Sequence, residues 1–354
     1  MARRKDRQFG PLDPRSQQIL RAVIEEYVTS AEPVGSQTLV ERYRLGVSPA
    51  TVRNVMAELE WAGYHTHPHT SAGRVPTDAG YRLYVESIAP QMQIAPVERL
   101  MIRHQFGQVE FASEQWFRLA AATIAAATHA AGLATPAKPR SCRLRHVDLV
   151  ATATQTASLV VVLAEGSVKQ ELIPLTEPFD QHDLDDIARL LNAELGSCSA
   201  RQVHNRIAQL STEADVPPLM LRICQRIERL MRDFDSAAVE DVFSDGLLNV
   251  MSEPEFSQSE KLRRVFVALQ NRDYLGSLVR RVATGQDVHV LIGAENEAAE
   301  MQDVSLVLAT YGQPGHAMGV VGVLGPTRMA YPQAIGTVRF VSGLMNELVE
   351  QLYR

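Results

Sequence analysis

The sequence is poor in cysteine, and Cys142, Cys198 and Cys224 lie far apart without forming a C-x-x-C pair. Such an odd, sparse set argues against a disulfide scaffold and favours a reducing compartment. Long hydrophobic runs are also missing. The most apolar stretch, residues 119–134, is mostly alanine and contains polar residues, so it is too short and too polar to span a bilayer. No apolar signal core follows the basic N-terminus, so we expect a cytoplasmic protein without a membrane segment.

A positive net charge is absent as well, since 41 Asp and Glu outnumber 35 Lys and Arg and give a net charge of −6. This balance argues against a protein that coats nucleic acid non-specifically. Residues 1–90, however, carry 11 Lys and Arg against 10 Asp and Glu, so the remainder carries the whole negative balance. A near-neutral N-terminal part on an acidic remainder fits DNA binding confined to one end. With 354 residues, 45% of them hydrophobic, the chain is long enough for two or three domains.

The first 90 residues predict four short helices and a hairpin. The helices begin at Asp13-Pro14, near Ser36, at Ser48-Pro49 and at Thr77, and the third ends near Gly63. A helix, a tight turn containing glycine and a second helix are the signature of a helix-turn-helix. Residues 64–76 then predict a hairpin with a polar tip, in the position that a wing would occupy.

Beyond a linker at 90–96, helical and strand patterns alternate. Helices are predicted at 97–132, 183–235, 245–284 and 331–353, and strands at 144–150, 158–163, 168–173, 288–292, 304–311 and 319–324. Strands, then helices, then strands indicate one α+β domain split by a helical insertion. Apolar stripes around Leu190 and Leu221 in the insertion favour a homodimer. The Ala-rich helix 119–131, followed by Gly132, predicts a body that opens at modest temperature.

The third helix has an outward face suited to DNA. With Val52 at the centre of the buried face, a step of 100° per residue turns Ala50, Asn54, Ala57 and Trp61 outward, flanked by Thr51 and Arg53. Asn54 can pair with adenine and Arg53 with guanine, while the small Ala50 lets the helix approach a groove. The alternative is that Arg53 and Asn54 are ordinary solvated residues of an amphipathic surface helix.

Phosphate contacts are predicted on either side of these base-reading residues. Ser48 and Thr51, with the free N–H groups of the first helical turn, suit a phosphate. Arg74 would contact the minor groove or a phosphate from the wing, or else be a lone solvated arginine. The predicted DNA-binding residues are Ser48, Ala50, Thr51, Arg53, Asn54, His69, Thr70, Ser71 and Arg74.

Three alternating histidines, His65, His67 and His69, raise the alternative of a zinc site in the hairpin. No cysteine lies nearby in sequence and Pro68 disturbs strand geometry, so polar wing residues are the favoured interpretation. No metal and no cofactor are expected. An enzyme is also disfavoured, because the glycine-rich residues 319–325 lack both the P-loop ending and G-x-G-x-x-G spacing. We interpret these glycines as turns between strands.

Two long groups of residues resemble the HrcA family of heat-inducible transcription repressors. The N-terminal group comprises Pro33-Val34-Gly35-Ser36, the run from Ser48 to Glu60, the run from Pro68 to Thr77, and the run from Gly80 to Val85. The C-terminal group comprises the run from Ile292 to Asn296, then Ser305, Tyr311, Gly319, the run from Gly322 to Met329, and Tyr331. The middle of the chain follows the family pattern loosely.

This resemblance implies an α+β fold with an N-terminal winged helix-turn-helix and a GAF-like domain interrupted by a helical inserted dimerisation domain. The implied bounds are 1–89 for the winged helix, 97–180 and 245–354 for the two GAF-like parts, and 181–244 for the insertion. It also implies repression of class I heat-shock operons such as grpE-dnaK-dnaJ and groELS. The implied partners are double-stranded DNA carrying the CIRCE inverted repeat, a second copy of the chain, and the chaperonin GroEL.

A metabolite-sensing regulator is the rival interpretation, because GAF-like domains often hold small ligands. A metabolite-sensing regulator would have a domain core that is open and polar. A repressor without a ligand would have a core filled by side chains such as Val290, Leu308, Met318 and Val321. Since the strand residues are mostly apolar, we expect a filled core.

Overall fold

The chain folds into a mixture of α-helices and β-strands. The computed structural model describes residues 12–68, 73–88, 92–109, 113–139, 141–164, 166–212, 216–236, 242–256, 287–312 and 317–352, with isolated positions between 263 and 282. Contacts divide the chain into two units: residues 1–136, 241–312 and 319–354 form the first, and residues 137–240 and 313–318 form the second.

Among the described residues the elements have the following bounds. The helices are α1 (Pro14–Ser30), α2 (Ser36–Tyr43), α3 (Pro49–Trp61), α4 (Asp78–Ile88), α5 (Pro96–Gly107), α6 (Ser113–Thr128), α7 (Gln181–Leu195), α8 (Ala200–Leu210), α9 (Pro218–Ser236), α10 (Leu247–Met251) and α11 (Tyr331–Leu352). The strands are β1 (His65–Thr66), β2 (Val75–Pro76), β3 (Ala131–Ala134), β4 (Lys138–Pro139), β5 (Leu144–Ala153), β6 (Thr156–Leu163), β7 (Val168–Pro174), β8 (Phe243–Asp245), β9 (His289–Ile292), β10 (Val304–Gly312) and β11 (Ala317–Pro326).

The first unit begins with four helices and a two-stranded antiparallel pair, which we call the head (residues 12–88). The predicted start of α1 is confirmed, because the Asp13 side chain accepts hydrogen bonds from the backbone N–H groups of Arg15 (2.9 Å) and Ser16 (3.2 Å). Helix α1 buries its apolar stripe, including Ile19, Val23 and Ile24, among the other head helices.

The rest of the first unit, which we call the body, contains a sheet with the strand order β8-β3-β11-β10-β9. Helix α6 packs on β3, and α11 packs on β10 and on α6. The glycine-rich run lies inside β11, so its interpretation as turns is wrong. A Cβ at Gly319 would meet the Tyr311 ring, and one at Gly322 would meet Leu308, so these glycines allow β10 and β11 to pack closely.

The Ala-rich helix α6 is a tightly packed element, and opening of the body at modest temperature stays a prediction. Ala120, Ala121 and Ile124 are fully buried. A Cβ at Gly132 would collide with the carbonyl oxygen of Ala121, so the small residues on both sides let α6 lie directly against β3. Close packing of backbone and methyl groups compensates for the small apolar area of each alanine.

The second unit combines a three-stranded antiparallel sheet, β5-β6-β7, with helices α7, α8 and α9. One face of the sheet, including Val147, Leu159 and Val161, shares a buried cluster with these helices. The strands that the sequence analysis placed in the first GAF-like part therefore pack with the helices of the insertion. Their side chains alternate between the two faces, and the buried face needs the apolar stripes of α7 and α9 to cover it.

The three cysteines form no disulfide. Cys142 and Cys224 are buried in the second unit, and burial raises the pKa of the Cys224 thiol to about 11. That thiol is therefore protonated and unreactive at neutral pH. In the described part of the chain, no helix has the length and apolar character needed to cross a membrane.

Candidate nucleic-acid interface

Helix α3 begins where the sequence predicts and is fixed in the head by its apolar face. Ser48 caps it by accepting a hydrogen bond from the Thr51 N–H (3.2 Å), and Pro49 occupies the first turn. Val52 and Leu59 are completely buried, and α3 packs on α1 and α2. The opposite face must then point outward, because an α-helix has 3.6 residues per turn.

This outward face carries the predicted base-reading residues. Ala50, Arg53 and Asn54 are exposed. Within the described part of the chain, the side chains of Arg53 and Asn54 make no hydrogen bond or ion pair, so their donors and acceptors remain available to a ligand. Trp61, the last residue of the helix, is 87% exposed. The outward face thus combines two free polar groups with one large aromatic ring.

The hydroxyl groups at the start of α3 partly satisfy each other. The Ser48 Oγ and Thr51 Oγ1 atoms lie 3.0 Å apart, and the Ser48 Oγ also accepts from the Thr51 N–H. Only one of the two hydroxyl hydrogens is used between them, so the other can be donated to a phosphate oxygen. Both residues therefore keep the capacity that the sequence analysis assigned to them.

The hairpin is present, with His65 opposite Pro76 and Thr66 opposite Val75. Its tip, with the candidate residues His69, Thr70 and Ser71, lies outside the described residues, so their role stays a prediction.

Arg74 lies at the base of the hairpin. Its backbone exchanges two hydrogen bonds of 2.9 Å with Val34, and its Nη2 atom lies 2.7 Å from the Glu60 Oε2 atom. Gly73 lies so close to the segment at 33–34 that a Cβ would be 2.5 Å from the backbone of Pro33. The guanidinium of Arg74 is thus half-buried and neutralised by a carboxylate. A phosphate contact from Arg74 stays a prediction, and it would compete with Glu60.

The histidines of the hairpin occupy different environments. His65 is buried, and both of its ring nitrogens are without a hydrogen-bond partner within the described residues. Burial, aided by the nearby Arg74, lowers the pKa of His65 to about 4, so the ring is neutral at pH 7. His67 is exposed and contacts Glu60 through Nδ1. Among the described residues, no three or more His, Cys, Asp or Glu side chains cluster as metal ligands would.

Comparison of the amino-acid sequence with known proteins finds a matching family. Residues 114–335 match the family described as the HrcA protein C terminal domain. The chain is 41% identical over 346 residues to the heat-inducible transcription repressor HrcA of Roseiflexus castenholzii, covering 97% of this chain and 96% of the relative. It is also 41% identical over 359 residues to the protein of that name from Chloroflexus aggregans, covering 97% of this chain and 94% of the relative.

A solved structure, described as a hypothetical protein at 2.2 Å resolution, is similar to this chain with a TM-score of 0.62 and 24% sequence identity. The similarity covers 96% of this chain and 99% of the other. It concerns the fold alone and extends through both units.

Proposed function

The chain belongs to the HrcA family of heat-inducible transcription repressors, and from this premise we propose that it represses class I heat-shock operons by binding the CIRCE inverted repeat as a homodimer. The observation that carries the proposal is the outward face of α3, where Arg53 and Asn54 are exposed and have no hydrogen-bond or ion-pair partner among the described residues, on a helix whose other face is buried. Families of transcription repressors are not enzyme classes, and we propose no catalytic activity and no cofactor. The proposed place of action is the cytoplasm.

In this proposal the head acts as a winged helix with α3 in the major groove. Arg53 pairs with a guanine and Asn54 with an adenine, while Ala50 allows close approach. Ser48 and Thr51 bind a phosphate at the start of the helix. The hairpin acts as the wing, with His69, Thr70, Ser71 and Arg74 facing the sugar-phosphate backbone or the minor groove.

The body is proposed to be the GAF-like domain, with a core filled by its own side chains. Leu308 and Val321 are buried, and Val290 and Met318 are partly buried. This burial supports a structural core over a metabolite pocket. The alternative, a regulator that responds to a bound metabolite, would need a ligand that changes operator affinity.

We propose that the second unit is the dimerisation domain. The face of its sheet opposite the buried cluster carries Val150, Val168 and Leu172, which are 42%, 60% and 62% exposed. Val150 lies opposite Ser158, which lies opposite Leu172, so these residues form one row across the sheet. An inverted repeat requires a two-fold symmetric protein, and a second copy would cover the same apolar face on each chain.

The stripe predicted around Leu190 and Leu221 divides between core and surface. Leu190 is 50% exposed, whereas Leu221 packs partly against the buried cluster. We propose that the open sheet face, rather than this stripe, supplies most of the dimer contact. We further propose, from the family resemblance, that the chaperonin GroEL keeps the repressor in its active form.

The test is operator binding by the full-length protein. A fluorescent duplex carrying the CIRCE repeat should be bound more tightly, by 1000-fold or more on the order usual for specific repressors, than a duplex of scrambled sequence. DNase footprints on the organism's chaperone promoters, with and without chaperonin, should show protection of the repeat. Equal affinity for both duplexes would refute the proposal, and a monomeric mass with undiminished operator binding would refute its dimer component.

A further inference from the structure

Several of the C-terminal residues that resemble the family contact helices α1 and α4 of the head. Residues 292–296 begin with the last residue of β9, residues 325–329 begin with the last two residues of β11, and Tyr331 begins α11. All of them lie in the first unit together with the head. Their contacts show what these residues hold in place.

One of these contacts is a bidentate ion pair between Arg82 of α4 and Glu295. The Arg82 Nε atom donates to Glu295 Oε1 at 2.8 Å, and the Arg82 Nη2 atom contacts Glu295 Oε2. The same Nη2 atom donates to the Val290 carbonyl oxygen at 2.7 Å. Glu295 is itself oriented by the Ile292 N–H, which donates to it at 2.9 Å. A planar guanidinium held at three points resists rotation of α4 on the body.

The start of α4 is fixed by a second contact beside the first. The Ala294 N–H donates to the Asp78 carboxylate at 2.9 Å. Gly293 has a φ of +49°, and a Cβ there would collide with the Asp78 carboxyl group. Glycine is therefore required at this position for two reasons: the backbone is left-handed, and Asp78 of α4 lies where a Cβ would be.

A third contact joins the body to α1. Arg328, only 11% exposed in its side chain, donates through Nη1 to the Val28 carbonyl oxygen (3.3 Å) in the last turn of α1. Its other nitrogens bind Glu255 (2.5 Å to Oε1) and Glu253. A cation at the carboxyl end of a helix also interacts favourably with the helix dipole. Between these polar contacts, the Tyr81 and Tyr331 rings pack with centroids 5.7 Å apart.

We propose that Arg82 and Arg328 are positioning residues for operator binding, which fix the orientation of the head on the body without touching DNA. This inference rests on the proposed function, because it assumes that two heads read two half-sites. The second head of a bound dimer experiences an effective concentration set by how far its orientation is restricted. Contacts that hold each head at a fixed angle therefore increase affinity for an inverted repeat and make that affinity depend on the spacing of the half-sites.

The distinguishing property of such residues is that they affect two-site binding alone. A residue that contacts DNA, or one that merely stabilises the head, weakens binding to a single half-site as well as binding to the repeat. Loss of the Arg82–Glu295 pair should leave half-site binding intact, because α3 and its side chains are not part of the contact. The same loss should reduce the penalty for changing the spacer.

The experiment compares full-length wild type with Arg82→Ala, Arg328→Ala and Glu295→Gln by fluorescence anisotropy on three duplexes. These are the intact CIRCE repeat, a single half-site, and a repeat whose spacer is lengthened by about 5 base pairs, half a helical turn. Arg103→Ala is the matched control, because Arg103 forms an exposed ion pair with Glu347 (3.4 Å) away from the head. Glu295→Gln keeps the shape of the side chain and remains informative if an arginine variant folds poorly.

We expect Arg82→Ala, Arg328→Ala and Glu295→Gln each to bind the intact repeat at least tenfold more weakly than wild type and to bind the half-site within twofold of wild type. The affinities of each variant for the two spacer lengths should also differ less than those of wild type. Arg103→Ala should match wild type on all three duplexes. A clear loss of half-site binding alongside the loss on the repeat would overturn the inference in favour of a purely structural role. Tighter binding to the repeat would overturn it by showing that the docked head is a non-binding orientation. Failure of wild type to prefer the repeat to scrambled DNA would instead refute the proposed function.

Discussion

The Glu60 Oε2 atom lies 2.7 Å from the Nη2 atom of Arg74, so the last turn of α3 is tied to the base of the hairpin. His67 contacts the other carboxylate oxygen, and Glu60 thus joins two residues of the hairpin to α3. Both Glu60 and Arg74 keep 22% of their side chains exposed. Because Glu60 is followed on α3 by the exposed Trp61, we expect DNA bound at this face to compete with Glu60 for the guanidinium.

Removing the carboxylate should release Arg74 for DNA. Glu60→Gln is expected to increase affinity for all sequences and to steepen the dependence of log K on log salt by about one, since one more phosphate is neutralised. Arg74→Ala should act in the opposite direction and reduce the salt slope. Glu58→Gln, an exposed carboxylate on the same helix, is the control for the general loss of negative charge. An unchanged salt slope in Glu60→Gln would show that Arg74 does not contact phosphate.

Substitutions of the base-reading residues should affect specificity rather than salt dependence. Arg53→Ala or Asn54→Ala is expected to weaken operator binding by roughly 1–3 kcal/mol and to relax the preference at one position per half-site. Competition with operators carrying single base changes measures that preference. If both variants kept wild-type affinity and wild-type preference, α3 would not lie in the major groove as proposed.

The sequence predicts those features of the head that depend on near neighbours. The caps at Asp13 and Ser48, and the buried stripe around Val52, follow from residue types at fixed spacings along a helix. The exposure of Arg53 and Asn54 follows from the same periodicity. All of these features are confirmed by the structure.

What the sequence does not predict depends on distant partners. Arg74 and Glu60 are 14 residues apart, and Arg82 and Glu295 are 213 apart, so nothing in local patterns links them. The tight packing of α6 likewise depends on Gly132 meeting the Ala121 backbone, which is visible only in three dimensions. Arg82 and Glu295 both lie in the runs that resemble the family, but the resemblance does not explain why an arginine and a glutamate occupy these positions. Their ion pair supplies that reason.

The buried His65 should make the head sensitive to acid. Its pKa of about 4 in the folded state lies below the value of about 6.5 expected when unfolded, so the unfolded chain binds the extra proton between these values. The contribution of the neutral ring to the free energy of unfolding is fully present above about pH 6.5. That contribution decreases as the pH falls towards 4, because the unfolded chain then binds the proton that the folded chain does not. Between pH 7.5 and 5 the loss amounts to about 2 kcal/mol.

The variant His65→Phe should remove that dependence, because phenylalanine keeps the ring without a titrating group. Thermal melts followed by circular dichroism between pH 5 and 7.5 measure the difference. At pH 7.5 the variant should be as stable as wild type or more stable, since both nitrogens of His65 are buried without partners among the described residues. His146→Gln, an exposed histidine of β5, is the control. The same acid-dependent loss in His65→Phe would assign it to other groups.

The contact between Gly132 and Ala121 offers a way to alter the stability of the body without touching the head. Gly132→Ala places a Cβ against the Ala121 carbonyl oxygen, so α6 and β3 must separate. Overpacking of this kind costs roughly 1–3 kcal/mol. At about 2–4 °C per kcal/mol for units of this size, the melting temperature should fall by several degrees.

This variant tests whether the repressor senses heat through the stability of its body. The chain contains two tryptophans, of which Trp61 is 87% exposed on α3 and Trp116 is 2% exposed in α6. In a Trp61→Phe background, fluorescence therefore reports unfolding around α6 alone. We expect operator binding and Trp116 burial to be lost at the same temperature, and Gly132→Ala to lower both midpoints by the same amount. Both losses follow from one event, because an opened body no longer holds two heads at a fixed spacing. Chaperonin should restore both signals after cooling. If binding were lost well below the unfolding of Trp116 and a small molecule restored it, a bound metabolite rather than body stability would be the switch.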